Sequence, residues 1–421
     1  MEALKILGGR RLKGSISTSG SKNASLPILA ATLLSGGRSR IYGVPHLRDI
    51  RTMLKILSAV GARVQWEGDC ITVDSSGIVS CTAPYELVKE MRASICLLGP
   101  LLACFGKARI SLPGGCVIGD RPVDIHLKGL EKLGVGFKLV EGYVEGETKR
   151  LAGTEIFLGG NFGSSVLATA NLLMAACFAS GETVIEFAAC EPEIVDLANF
   201  LNKMGAKIYG AGSHLIRIKG VKKLKPTDYR VIPDRIEAGT HLLAGAITAG
   251  EVEVRDCVPE HLFALLEKLV EAGVEIKKGK NKVSIKAKGK LKGVDIVTLP
   301  YPGFPTDLQA QFMSLMCLAE GTGVITEKIF PERFMHAAEL KRLGADITLQ
   351  EGTAIIRGRE RLAGTRVMAS DLRASAALVL AGLAADGETV VGRIYHLDRG
   401  YQDMEGKLNA VGARITRINE N

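Results

Sequence analysis

Six times along the chain, a leucine-rich amphipathic segment ends in a small-residue–glycine turn and passes into a β-leaning run. The first copy reads Leu57-Ser58-Ala59-Val60-Gly61-Ala62-Arg63-Val64, and the turn recurs at Gly134, Gly205, Gly273, Gly344 and Gly412, in steps of 73, 71, 68, 71 and 68 residues. A second mark lies upstream of each, an Ala/Leu-rich stretch followed by glycine and a strand-like run, at Gly37, Gly106, Gly181, Gly250, Gly321 and Gly387. Helical and strand periods alternate inside every copy. For the first copy this predicts a helix over 26–34, a strand over 39–42, a helix over about 49–60 and a strand or hairpin within 63–73. Such alternation argues an α/β chain with crossover connections rather than a helical solenoid.

Six units could stack as an open array or divide into two sets of three. The charged, proline-containing break Lys222-Lys223-Leu224-Lys225-Pro226-Thr227 falls halfway and favours the second. The reading is two similar lobes, an N-terminal one over 22–232 and a C-terminal one over 1–21 plus 233–421, with a hinge near 18–22 and 228–233. Residues 4–16 are strand-like and could pair with the far end of the chain.

Composition narrows the partners. Lys plus Arg number 54 against 45 Asp plus Glu, a net +9 that favours anionic ligands. Aromatics at 5%, a single Trp and dispersed charge poorly serve stacking on bases, so nucleic acid is not expected. Nine cysteines are scattered without metal-ligand spacing, and Cys96, Cys104, Cys177 and Cys317 lie in apolar helical stretches as small hydrophobes. This points to a reducing cytoplasm and no structural metal. The uncharged stretch 159–181 approaches membrane-span length but is interrupted by Asn161, Ser164, Ser165, Thr169 and Asn171, so it reads as a buried helix and no membrane partner is expected.

Aligning the first helix of each copy gathers Lys22-Asn23-Ala24-Ser25, Arg92-Ala93-Ser94, Gly163-Ser164-Ser165, Arg235, Gln309-Ala310-Gln311 and Arg373-Ala374-Ser375. Equivalent helices in a pseudo-symmetric lobe would bring their positive N-termini to one face, and basic residues there make a site for multiply charged anions. Capping alone would prefer Ser, Asp or Asn. The second copy is longer than the others, and its surplus is Pro113-Gly114-Gly115-Cys116-Val117-Ile118-Gly119-Asp120-Arg121-Pro122. A cysteine among glycines beside Arg121 sits where a thiol can be tuned as nucleophile or proton donor. His126, nearby, reads more readily as a helix-surface histidine than as a base. Asp307 and Asp371 precede helices and are N-caps or, facing positive charge, carboxylates available as bases. Arg399, in Arg393-Ile394-Tyr395-His396-Leu397-Asp398-Arg399-Gly400, is either a second oxyanion clamp or the partner of Asp398.

Those motifs, with Glu191-Pro192-Glu193-Ile194-Val195-Asp196, Pro233-Asp234-Arg235 and Phe304-Pro305-Thr306-Asp307, run the length of the chain. Together they resemble the UDP-N-acetylglucosamine 1-carboxyvinyltransferase family of enolpyruvyl transferases. The resemblance implies an inside-out α/β barrel fold, two lobes each of three βαβαββ units closing over substrate. It implies transfer of enolpyruvate from phosphoenolpyruvate to the 3-hydroxyl of UDP-N-acetylglucosamine with release of phosphate, by addition and elimination without a metal, as the first committed step of peptidoglycan synthesis. By motif, Cys116 resembles the loop cysteine that protonates the enolpyruvyl carbon and can carry a covalent phosphoenolpyruvate- or pyruvate-derived adduct. Asp307 resembles the base on the sugar hydroxyl, and Lys22, Arg121 and Arg399 the clamp on phosphoenolpyruvate. Asn23 and Arg92 resemble contacts to the sugar nucleotide or intermediate. Arg121, Pro122, Val123, Asp124 and Ile125, with Asn161, Phe162 and Gly163, would hold uridine and diphosphate, and Ile329 would lie near the sugar. Asp371 and Arg373 would support the cysteine loop from the other lobe. One departure stands out: family members often carry a lysine at the start of the third-copy loop, where this chain has Gly159-Gly160-Asn161. Competing readings are the sister transferase for shikimate 3-phosphate, a non-catalytic nucleotide-sugar-binding paralogue and a nucleic-acid-binding repeat protein.

Overall fold

The computed structural model describes residues 2–112, 123–160 and 162–420. Two compact units emerge, one of residues 20–112 and 123–232, the other of residues 2–19 and 233–420.

The unit holding residue 20 contains three four-stranded sheets of one pattern. Arg38–Tyr42 pairs antiparallel with Cys70–Asp74, which pairs with Arg63–Glu67, while Asp228–Arg230 lies parallel on the other edge of Arg38–Tyr42. The second sheet orders Thr82–Ala83, Lys107–Ser111, Tyr143–Glu147 and Gly136–Val140 in the same way. The third orders Glu155–Phe157, Glu182–Glu186, Leu215–Lys219 and Lys207–Tyr209. A small hairpin pairs Gly159 with Ser164 and Gly160 with Gly163.

The other unit repeats the pattern. Ile296–Thr298, Thr322–Glu327, Thr353–Arg357 and Asp346–Gln350 form one sheet, and Lys13–Ser17 lies parallel to Glu251–Arg255 in another. In the last, Arg366–Met368 runs parallel to Glu388–Gly392, which pairs with Glu2–Leu7, and Ile415–Asn419 closes the edge. A parallel pair cannot be joined by a tight turn, so each crossover spends a helix, such as Val166–Ala176, Gln309–Met316 or Leu372–Ala384. Those helices have apolar residues on every side, and from Arg373 to Leu383 each residue is buried.

The periodicity survives in the backbone. Gly61, Gly134, Gly205, Gly273, Gly344 and Gly412 all adopt φ between 95° and 107°, the left-handed conformation that ends a helix and that a Cβ disfavours. Two expectations change. Residues 4–16 are not one strand: Glu2–Leu7 does pair with the far end of the chain, but Lys13–Ser17 turns to the fourth sheet instead. The glycines at 8 and 9 break the run between them. The 159–181 stretch is helical and buried only from its middle onward, because Gly159–Gly160 and Gly163–Ser164 pair as a hairpin first. Among the described residues no helix is long and apolar enough to cross a membrane.

Candidate active site

Helix starts in the unit of residues 233–420 converge on a buried polar network. The helix Arg235–Ile247 contributes Thr240, Gln309–Met316 contributes Gln311, and Leu372–Ala384 contributes Arg373. All three reach the Tyr401 hydroxyl, Thr240 Oγ1 at 2.9 Å, Gln311 Nε2 at 3.0 Å and Arg373 Nη1 at 3.3 Å. Arg373 Nη2 then donates to Asp307 Oδ2 at 2.7 Å, and Arg333 Nη1 donates to Asp307 Oδ1 at 2.9 Å and to Thr306 Oγ1 at 3.0 Å. Both arginines are nearly sealed from solvent, whereas the Asp307 side chain keeps 27% of its surface exposed. Burial by itself would lower the Arg373 pKa, but the charges of Asp307 and Tyr401 and the hydrogen bond that Arg373 donates to Asp307 raise it above the ordinary guanidinium value. Asp307 is therefore an oriented carboxylate, with Arg333 on one oxygen and Arg373 on the other and part of its surface exposed.

Sequence reasoning found Asp307 and Arg373 but missed Arg333 and Glu327. Arg333 lies in Pro331-Glu332-Arg333-Phe334, which reads as an ordinary charged loop until the fold carries it back to Asp307. Asp371 is the N-cap of its helix, accepting from the amides of Arg373 at 2.8 Å and Ala374 at 3.1 Å. Its pKa lies below the usual carboxylate value: burial opposes this, but the Arg333 charge, the Ala374 amide and His336 outweigh it. Ile329 is half-buried, its amide held at 2.9 Å by Glu327 Oε1. Arg399 ends the turn Ile394–Arg399. The surface pairing weighed for it with Asp398 goes elsewhere, because Arg417 forks onto Asp398 at 2.8 and 3.1 Å.

In the unit of residues 20–232, Ser21 caps the helix Lys22–Ala31, its hydroxyl accepting from the Ala24 amide at 3.3 Å. Lys22 opens that helix with Nζ 3.6 Å from buried Asp49, and Asn23 beside it is half-buried. Capping therefore falls to Ser21, while the neighbouring Lys22 brings its charge to Asp49. Arg92 opens the 3₁₀ turn Arg92–Leu97, and Met91 before it supplies no side-chain cap.

His126 is neither a surface histidine nor a base. It is 5% exposed, its Nδ1 accepts from Asn171 Nδ2 at 2.9 Å, and burial first and the Arg92 charge second push its pKa down to about 3. Asn171 also donates to the Ile95 carbonyl at 2.9 Å and accepts from the Gly99 amide at 2.8 Å, tying three segments together.

Val123 caps and Asp124 opens the helix Asp124–Lys132, with Asp124 3.4 Å from Lys128. Ile125 packs against the 159–164 hairpin: a Cβ at Gly160 would come 2.5 Å from Ile125 Cδ1, and one at Gly159 2.6 Å from Phe157. A side chain at Gly160 would therefore have to displace the end of Ile125. Cys116, Arg121, Pro122 and Asn161 lie outside the described residues. Cys104, expected buried, is exposed, whereas Cys96, Cys177 and Cys317 are buried. Among the described residues no three His, Cys, Asp or Glu side chains converge as a metal site.

Comparison with known proteins supplies the remaining findings. Residues 6–408 match a family model described as EPSP synthase (3-phosphoshikimate 1-carboxyvinyltransferase). A UDP-N-acetylglucosamine 1-carboxyvinyltransferase of Geotalea uraniireducens is 56% identical over 421 residues, the whole of both chains. One from Methylacidiphilum infernorum is 54% identical over 99% of each chain. Among solved structures, the enolpyruvyl transferase NikO from Streptomyces tendae superposes with a TM-score of 0.90 at 28% identity, covering 99% of this chain and 98% of its own. EPSP synthase from Acinetobacter baumannii shares the fold, with a TM-score of 0.77 at 20% identity over the full length of both.

Proposed function

The chain belongs to the EPSP synthase family, and from that we propose that it transfers the enolpyruvyl group of phosphoenolpyruvate to the 3-hydroxyl of UDP-N-acetylglucosamine, releasing phosphate. The observation that carries this reading is full-length identity of 56% to a relative bearing that name. The carboxylate held by Arg333 and Arg373 supports it.

The chemistry follows from the charges. Both substrates are polyanions, so cations at the helix starts offset their repulsion and stabilise charge in the transition state. Asp307 takes the proton of the sugar hydroxyl as its oxygen bonds to C2 of phosphoenolpyruvate, and the Cys116 thiol delivers a proton to C3. The tetrahedral adduct then returns a C3 proton to the Cys116 thiolate as the C2–O bond to phosphate breaks, which restores the double bond, and the departing phosphate takes up the Asp307 proton. Lys22, Arg121 and Arg399 clamp phosphoenolpyruvate. Asn23 and Arg92 meet the sugar nucleotide, and residues 121–125 with 161–163 hold its uridine and diphosphate. In this reading each unit is a lobe of three βαβαββ repeats of an inside-out barrel, and closure shields the adduct from water. Cys116 can carry a phosphoenolpyruvate-derived adduct, no metal takes part, and the enzyme works in the cytoplasm on the route to peptidoglycan.

The test is phosphate release from phosphoenolpyruvate with and without UDP-N-acetylglucosamine, repeated after exposure to the epoxide fosfomycin. Release that needs the UDP-sugar and is abolished by alkylation supports the proposal. Release driven by shikimate 3-phosphate, or no release at all, overturns it.

A further inference from the structure

Glu327 is a buried carboxylate, 1% exposed, at the end of the strand Thr322–Glu327. Its Oε1 accepts from Thr298 Oγ1 at 2.6 Å and from the amides of Ile329 at 2.9 Å and Phe330 at 3.0 Å. Its Oε2 accepts from Thr306 Oγ1 at 2.9 Å. A buried carboxylate is costly unless hydrogen-bonded, and these four donors satisfy both of its oxygens. The donors come from three places with no reason in sequence to move together, the strand Ile296–Thr298, the turn just before Asp307 and the loop bearing Ile329.

The Thr306 bond has a direction. Its hydroxyl proton is committed to Glu327, so its lone pairs face Arg333, whose Nη1 divides between Thr306 Oγ1 at 3.0 Å and Asp307 Oδ1 at 2.9 Å. Glu327 thus orients Thr306, Thr306 helps seat Arg333, and Arg333 fixes one oxygen of Asp307. Through its other oxygen Glu327 sets the backbone of the Ile329 loop.

Resting on the reading above, we propose that Glu327 is a positioning residue for the acceptor half-reaction: it locks the base Asp307 and the sugar-facing Ile329 loop into one frame, so that the acceptor hydroxyl and its base are placed together. Glu327 touches neither substrate. Glu327→Gln keeps size and one accepting oxygen but presents an NH₂ to Thr306, turning the hydroxyl proton away and disturbing the seat of Arg333. Thr306→Val removes the hydroxyl at constant shape, and Thr306→Ser restores it.

The experiment is steady-state kinetics of the full-length variants with both substrates varied. For Glu327→Gln we expect kcat/KM for UDP-N-acetylglucosamine to fall by about 10- to 100-fold, with the KM for phosphoenolpyruvate within about two-fold of the parent. Thr306→Val should show the same split and Thr306→Ser most of the parent's activity. The double variant Glu327→Gln/Thr306→Val should be no worse than the more damaged single one, because both act through one path. A KM for phosphoenolpyruvate raised as much as that for the UDP-sugar, additive effects in the double variant, or no rescue by serine would overturn the assignment. Should Glu327→Gln fail to fold, the Thr306 pair carries the test alone. A parent that releases no phosphate refutes the transferase reading itself, whereas an active parent whose variants show no split refutes only the role of Glu327.

Discussion

Arg92-Ala93-Ser94 and Arg373-Ala374-Ser375 are the same three residues at the same slot of two repeats, and the structure uses them differently. Their serines behave alike, Ser94 Oγ donating to the Met91 carbonyl and Ser375 Oγ to the Asp371 carbonyl, each at 2.7 Å. The arginines part company. Arg373 follows the Asp371 cap into a full helix and is 3% exposed against Asp307 and Tyr401. Arg92 follows Met91 into a 3₁₀ turn and stays half-buried. A repeat fixes the backbone slot; whether a cation there becomes a permanent partner or faces ligand is decided by what the other repeats bring opposite it. Arg373 meets Asp307, which stands at a neighbouring helix start.

That difference should be measurable as stability. Arg373→Ala removes one of the arginines that hold Asp307 and empties a buried site. We expect a loss of about 3–5 kcal/mol, the usual cost of breaking a buried pair. Arg92→Ala, at a half-buried residue of a 3₁₀ turn, should cost less, about 1 kcal/mol, the typical size of a point-mutant effect, while weakening sugar-nucleotide binding if the proposed role holds. Denaturant unfolding of the two variants side by side checks this; equal losses would mean that the two slots are equivalent after all.

The third repeat offers a smaller effect. Gly160→Ala places a methyl 2.5 Å from Ile125 Cδ1, and overpacking of this kind costs about 1–3 kcal/mol. Ile125→Val should recover part of it, because the clashing atom is the one removed. If Gly160→Ala is neutral and Ile125→Val does not change its effect, the close approach does not constrain residue 160.

Much of this was legible in sequence for a physical reason. The six glycine turns must be left-handed to end helices, so periodicity in glycine translated directly into periodicity of fold. Lys22, Asp307 and Arg373 were visible because helix starts are fixed by local signals. Arg333, Glu327 and the buried state of His126 were not, since each depends on contacts between segments that local pattern does not encode. Arg333 reaches Asp307 across 26 positions, and His126 reaches Asn171 across 45. Residues 4–16 misled because two strand-like pieces, separated at Gly8-Gly9, join different sheets.

The subtlest test of the Arg92–Arg373 contrast is pH. Burial and then the Arg92 charge hold His126 down to about 3, below the 6.5 of an unfolded imidazole. Between those values the unfolded chain binds a proton that the folded chain refuses, so stability from this group is intact above pH 6.5 and lost as pH falls. From pH 7.5 to 6 that loss is about 0.8 kcal/mol. Asp196 works the other way, pushed up to about 6 mainly by burial, so its contribution improves as pH falls from 6 toward 3.8. A single stability curve mixes the two, and a variant that touches only one separates them. Arg92→Ala removes a charge that disfavours protonated His126 and raises its folded pKa somewhat above about 3, burial still holding it low, so the acid loss should level off at a higher pH while the Asp196 contribution stands. Stability measured from pH 7.5 down to 3 in parent and variant reads the difference, which opens only below about pH 4.5. Curves that stay parallel down to pH 3 would show that Arg92 does not act on His126.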